Sequence, residues 1–200
     1  MTTPRDLLII ALDDEGSRAV RAGELSLALA GAELIDLLMA PTIRLDGGRI
    51  VPGHLPALAD PILKEAAASF VMAEPFESVG DFLWRRGKSL TERYMAALEA
   101  EGVVARRGGH LLRKGRTVLV DSLPRRQATE RWDSAEPVLS TLAKDLGIRH
   151  RNAIDPPDIT DYAVEIVLAA ANRALQELEG ERQRRRVEQA AFDNIWRSLD

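Results

Sequence analysis

The stretch ELSLALAGAELIDLLM (Glu24–Met39), running straight into APTIRLDGGRIV (Ala40–Val51), decides the architecture. Leu25, Leu29, Ala32, Ile35 and Leu38 recur at spacings of three and four, the period of one helix face. Glu33 and Asp36 are read as the exposed side of that helix, and Pro41 ends it. Beyond it Ile43 and Leu45 alternate with Arg44, Asp46-Gly47-Gly48-Arg49 reverses the chain, and Ile50-Val51 returns. That is the signature of a hairpin. A long helix feeding a glycine-turn hairpin predicts a mainly α fold from which short β-hairpins lean out.

The same unit recurs further on. Ser89-Leu90-Thr91-Glu92 reads as a capping box opening a helix to about Glu101, which Gly102 terminates. Val103-Val104, Leu111-Leu112 and Thr117–Val120 follow as short strands between glycine turns. Two copies with long, unlike spacers do not stack into a solenoid. Upstream, Thr3-Pro4-Arg5-Asp6 is a helix start with Thr3 as cap, and Leu7–Leu12 is a buried helix with a strand as the alternative. Pro52–Pro61 is a loop, Asp60 caps a helix from Pro61 to Met72, and another helix runs from about Phe76 to Arg86. In the last third, a helix from Glu130 to Leu146 is broken near Pro137, and Ile159–Leu178 is a long apolar helix. Gly180 then precedes a separate charged helix whose Val187, Ala191, Ile195 and Leu199 share a stripe. Residues 1–200 are read as one domain, with 181–199 either integral or appended.

Composition narrows the function. The 200 residues are 46% hydrophobic and only 4% aromatic, so the core is built from Leu, Ala, Val and Ile. Cysteine is absent, which removes disulfides, thiolate metal sites and cysteine nucleophiles and suits a cytoplasmic chain. The apolar run Leu7–Leu12 is cut off by Asp13-Asp14-Glu15, a poor signal peptide, and no apolar run is long enough to span a bilayer. The net charge of −4 hides an asymmetry: residues 81–126 hold eleven Lys/Arg against five Asp/Glu, a local +6, and the remainder carries −10. Such polarity favours docking to an anionic partner.

No catalytic constellation stands out. His54, His110 and His150 are far apart, and no Gly-x-Ser-x-Gly elbow, phosphate-cradling glycine loop or His-Glu-x-x-His pair occurs. Asp13-Asp14-Glu15 lacks calcium-loop spacing and is read as a solvated turn. The expectation is therefore a protein that is not an enzyme, with no cofactor and no metal.

Leu7–Gly16, Leu29–Leu37 and the Ile43, Leu45, Asp46–Arg49 hairpin resemble the opening of the Golgi phosphoprotein 3 (GPP34) family, and Leu98–Val104 resembles its helix end before a projecting hairpin. The order of elements matches to at least Val120 and more loosely beyond. The resemblance implies a helical core bundle with projecting β-hairpins. It also implies a peripheral membrane protein whose eukaryotic members bind phosphatidylinositol 4-phosphate and contact cytoplasmic tails of glycosyltransferases. The family's headgroup pocket of one tryptophan and three arginines maps onto Arg21, Ala30, Lys88 and Thr91. Only Lys88 keeps a positive charge at an arginine position, and lysine cannot make arginine's bidentate fork with phosphate.

What the residues themselves predict is electrostatic. Arg21, Lys88 and Arg93, with Arg85 and Arg86, are the candidate lipid-headgroup residues; Leu111, Leu112, Arg113 and Lys114 form the tip of a membrane-facing hairpin. The partner is an anionic, phosphoinositide-like phospholipid surface on the cytoplasmic membrane face, with protein clients and self-association left open. The alternative is a winged-helix nucleic-acid binder using 89–120 as recognition helix and wing. Glu92, Glu99 and Glu101 on that helix, against Arg93 alone, would repel phosphates.

Overall fold

The computed structural model describes residues 2–14, 20–54, 57–107, 116–150 and 158–197. Among them are eight helices and two antiparallel hairpins: α1 (Thr3–Asp13), α2 (Ala22–Met39), β1 (Ile43–Asp46), β2 (Arg49–Pro52), α3 (Pro61–Ala68), α4 (Val79–Arg86), α5 (Leu90–Ala100), β3 (Val104–Arg107), β4 (Arg116–Leu119), α6 (Leu123–Asp133), α7 (Pro137–Asp145) and α8 (Tyr162–Arg197). The mainly α fold with short hairpins is the architecture predicted above.

Helix α2 is the axis of the bundle. Every residue from Leu25 to Ile35 is buried, so this helix is not amphipathic but enclosed on all sides. It packs against α1, α3, α4, α5, α7 and α8. Small residues let the neighbours approach: a Cβ on Gly31 would lie 3.3 Å from Ala171 Cβ of α8. Glu33, expected on the exposed side, is completely buried, and Asp36 is half-buried. Spacing alone cannot separate a solvated carboxylate from one with an interior partner, and Glu33 has two.

The β1–β2 turn forms as expected. Gly47 and Gly48 take φ of 53° and 77°, the two left-handed positions of a tight hairpin turn, and the register sets Leu45 opposite Ile50. Asp60 caps α3, accepting from the Ile62 and Leu63 amides at 2.8 and 3.1 Å.

Several boundaries differ from expectation. At α1 the cap position is Thr2, one residue earlier, with no side-chain cap bond. Helix α3 stops at Ala68 rather than Met72, and α4 starts at Val79, where the Ser78 hydroxyl accepts from the Asp81 amide. The expected Ser89 capping box does not form: Ser89 is left-handed at φ 56° and makes no side-chain cap bond. Ser26 of α2 serves instead, its Oγ accepting from the Thr91 amide at 3.0 Å. Helix α6 begins at Leu123, capped by Ser122, rather than near Glu130. Helix α8 runs through Gly180 without interruption. Glycine inside a helix costs only about 1 kcal/mol relative to alanine. Here Glu179 and Arg182 on either side are tied to Arg21 and Glu24. No helix among the described residues is long and apolar enough to cross a membrane.

Candidate functional site

The link between α4 and α5 positions the cations singled out in the sequence. A Cβ on Gly87 would lie 2.7 Å from the Leu83 carbonyl oxygen and 3.2 Å from Leu27 Cδ2, so only glycine fits this turn. The first turn of α5 is thereby pressed onto the first turn of α2. The Thr91 hydroxyl donates to the Ala22 carbonyl at 2.9 Å, and the Thr91 and Ser26 hydroxyls lie 2.8 Å apart. Arg21, just before α2, and Lys88, two residues before α5, are brought to one corner.

The corner holds mixed charge. Arg21 reaches Glu179 at 2.9 Å and Glu24 at 3.4 Å, and Arg182 of α8 also pairs with Glu24. Arg182 passes over α2 where Gly23 leaves room; a Cβ there would be 3.1 Å from Arg182 Nη2. Lys88 is exposed and has no carboxylate partner among the described residues. The positions that the resemblance assigns to two further arginines are closed: Ala30 is fully buried and Thr91 is 8% exposed, its hydroxyl engaged with α2.

The other candidate cations point elsewhere. Arg85 grips Glu77 with Nε at 2.6 Å and Nη2 at 2.7 Å and lies over the Phe82 ring. The Glu77 carboxylate raises the Arg85 pKa further. Arg93 pairs with Glu65 of α3, and Arg106 with Glu99 of α5 at 3.0 Å. Arg86, expected at a headgroup site, is instead inside the protein at 8% exposure. Its Nε and Nη2 hold the two Glu33 oxygens at 2.7 and 2.9 Å, Nη2 also donates to the Ile62 carbonyl, and the Tyr94 hydroxyl donates to Glu33 at 3.0 Å. Burial pushes the Glu33 carboxyl up, against the pull of the Arg86 fork and the Tyr94 hydroxyl. Burial, with the neighbouring Glu33 charge, likewise raises the Tyr94 phenol. A fork of this kind orders helices; it is not open to a ligand. The five candidates therefore do not converge into one positive patch.

A second ionic cluster escaped the sequence reading. Asp6 of α1 is fully buried beside Arg131 of α6, its Oδ1 without a hydrogen-bond partner among the described residues. Burial raises its carboxyl despite Arg131. Asp36 accepts the Thr3 amide at 2.8 Å, and burial raises it too. The only sequence signal was a lone carboxylate amid apolar residues on α1 and again on α2.

The β3–β4 hairpin differs in kind. Between Val104 and Leu119 the sequence holds Arg106, Arg107, Arg113, Lys114 and Arg116 and no Asp or Glu. The strand register sets Arg107 opposite Arg116. The expected membrane tip, Leu111, Leu112, Arg113 and Lys114, lies outside the described residues. Among the described residues no group of three or more His, Asp or Glu side chains is placed to hold a metal ion. On α5, Glu92, Glu99 and Glu101 are exposed, an electrostatic obstacle to a recognition helix.

A family model described as Golgi phosphoprotein 3 (GPP34) matches residues 4–197. No curated protein matches the chain.

Proposed function

Because the chain belongs to the Golgi phosphoprotein 3 (GPP34) family, we propose that it is a non-catalytic adaptor that docks peripherally on anionic lipid headgroups. The observation that carries this reading is the hairpin with five basic residues and no carboxylate, whose register opposes Arg107 to Arg116. A basic segment without acidic residues favours an anionic partner. Arg106 is paired with Glu99, and the sequence adds Arg107, Arg113, Lys114 and Arg116 to the hairpin. At about 1 kcal/mol per basic residue near an anionic leaflet, these supply roughly 4 kcal/mol, a millimolar dissociation constant. Leu111 and Leu112, if inserted, add a few kcal/mol at most. Docking of that strength is reversible and weakens with salt.

Discrimination for a single phosphoinositide is not part of the proposal. Two of the four family pocket positions hold Ala30 and Thr91, both buried, and Arg21 is tied to Glu24 and Glu179. The hairpin senses negative surface charge, while Lys88 at the α2–α5 corner adds one cation that has no carboxylate partner among the described residues. The test is co-sedimentation with phosphatidylcholine vesicles, with and without phosphatidylserine, at low and physiological salt. Pelleting should require phosphatidylserine, fall with salt, and disappear in an Arg113→Glu/Lys114→Glu double variant. A protein that stays in the supernatant with acidic vesicles at both salts is not a lipid-docking adaptor.

A further inference from the structure

Where α2 ends, its last turn meets α1, α3 and α6 around a cleft of 780 Å³, within the size range of small-molecule sites. The walls relevant to its chemistry are Asp36, Met39, Leu63, Glu130, Arg131 and Ser134. Met39 is 69% exposed, a large apolar side chain left bare beside polar ones. The charge of the cleft is lopsided. Arg131 is the one cation among the described lining residues, and it is already engaged, by Asp6 behind it and by Glu136 at 3.2 Å. Asp36 and Glu130 have no ion-pair partner among the described residues; the hydrogen bond that Asp36 accepts comes from a neutral amide, that of Thr3. Asp6 and Glu136 thus offset Arg131, and Asp36 and Glu130 leave the described lining acidic. The C-terminal end of a helix is itself a negative pole that basic residues usually complement, yet the last turn of α2 contains none.

This combination discriminates between ligands. An anion is repelled, a neutral apolar molecule leaves the carboxylates uncompensated, and no described cluster is dense enough for a bare metal ion. We infer that the cleft binds a small organic cation, an ammonium group on a short apolar body, with the charge between Asp36 and Glu130 and the apolar part along Met39 and Leu63. The inference goes beyond the lipid reading, and neither depends on the other.

The test uses the full chain with hexylammonium, 1-hexanol and hexanoate as probes, followed by saturation-transfer NMR and calorimetry at neutral pH. Hexylammonium should bind saturably and about tenfold more tightly than hexanol, on the scale of two partly exposed charge pairs, with hexanoate inert. Glu130→Gln should weaken hexylammonium about threefold. Met39→Lys, at an exposed position where folding is untouched, should abolish it. Asp36→Asn should weaken it more than Glu130→Gln does; because Asp36 also holds the Thr3 amide, its melting temperature is measured alongside. Absence of saturable hexylammonium binding overturns the inference. So does hexanol binding as tightly, or unchanged affinity in both Met39→Lys and Glu130→Gln.

Discussion

Replacing Arg86 by methionine tests whether this arginine is architectural. The substitution keeps much of the apolar stem but removes the fork that meets both Glu33 oxygens at 2.7 and 2.9 Å. Glu33 is completely buried, so its carboxylate is left with the Tyr94 hydroxyl alone. Removing one partner of a buried ion pair costs about 3–5 kcal/mol, because the remaining charge cannot regain water. For a chain of this length each kcal/mol moves the midpoint by about 2–4 °C, so Arg86→Met should melt about 6–20 °C lower. Guanidinium unfolding should show the same loss in midpoint at unchanged slope. Two internal controls sharpen the reasoning. The deficit should shrink as pH falls, because burial holds the Glu33 carboxyl above its ordinary value and protonation removes the uncompensated charge. A Glu33→Gln/Arg86→Met double variant should recover most of the loss, since a neutral amide still accepts from Tyr94 and leaves no buried charge. A single variant within about 1 kcal/mol of the parent, or a double variant no better than the single, would refute the assignment of this pair to the interior.

Three further outcomes follow from the same geometry. Ser26→Ala leaves the buried Thr91 amide without its acceptor and should cost about 1–3 kcal/mol in chemical denaturation; a neutral result means that Ser26 does not cap α5. Gly180→Ala, in a helix with nothing within 4 Å of the added methyl, should stabilise by about 0.5–1 kcal/mol, and a loss of stability would show that α8 bends there in solution. For pH, burial raises the Asp6, Glu33, Asp36 and Asp145 carboxyls above their unfolded values, so the folded chain binds these protons more tightly. Their contribution is greatest below the unfolded carboxyl range and declines as pH rises through the folded values. The melting temperature should hold or rise between pH 7 and pH 5.5, and Asp36→Asn should flatten that response; identical slopes in both proteins would dissociate Asp36 from it.

Local patterns made the scaffold legible and distant partners hid the rest. Glu24–Met39 and the Gly47-Gly48 turn could be read because their information is contained within a few residues. Glu33 was misassigned because its partners, Arg86 and Tyr94, are 53 and 61 residues away. The Ser89 box fails for the same reason: Ser26, 65 residues before Thr91, supplies the acceptor. Helix α6 was started too late because Leu123-Pro124-Arg125-Arg126-Gln127 has no apolar period, although Ser122 and Pro124 were cues to its start. The cations of the candidate site are countable in the sequence, but their counter-charges are not: Glu65 of α3 reaches Arg93 only through the fold, and Glu77, eight residues before Arg85, has no helical spacing to mark it as a partner.

Those counter-charges bear on where a lipid-docking member of this family keeps its positive charge. The α2–α5 corner is closed by small and hydroxylated side chains: Ala30 lies inside the bundle, and Thr91 and Ser26 bond across the interface. An arginine at either position would have to be buried against packed neighbours with no carboxylate of its own, a cost of several kcal/mol. Restoring the family pocket by grafting arginines at 30 and 91 should therefore unfold the corner rather than create affinity. A cation left in water carries no such penalty, because it stays solvated until a surface arrives. The same fold is thus compatible with recognition by a dedicated pocket or by a charged edge. In this chain Arg21, Arg85, Arg86 and Arg93 are all held by carboxylates, which is why the docking proposed above is assigned to the basic hairpin sequence and not to a pocket.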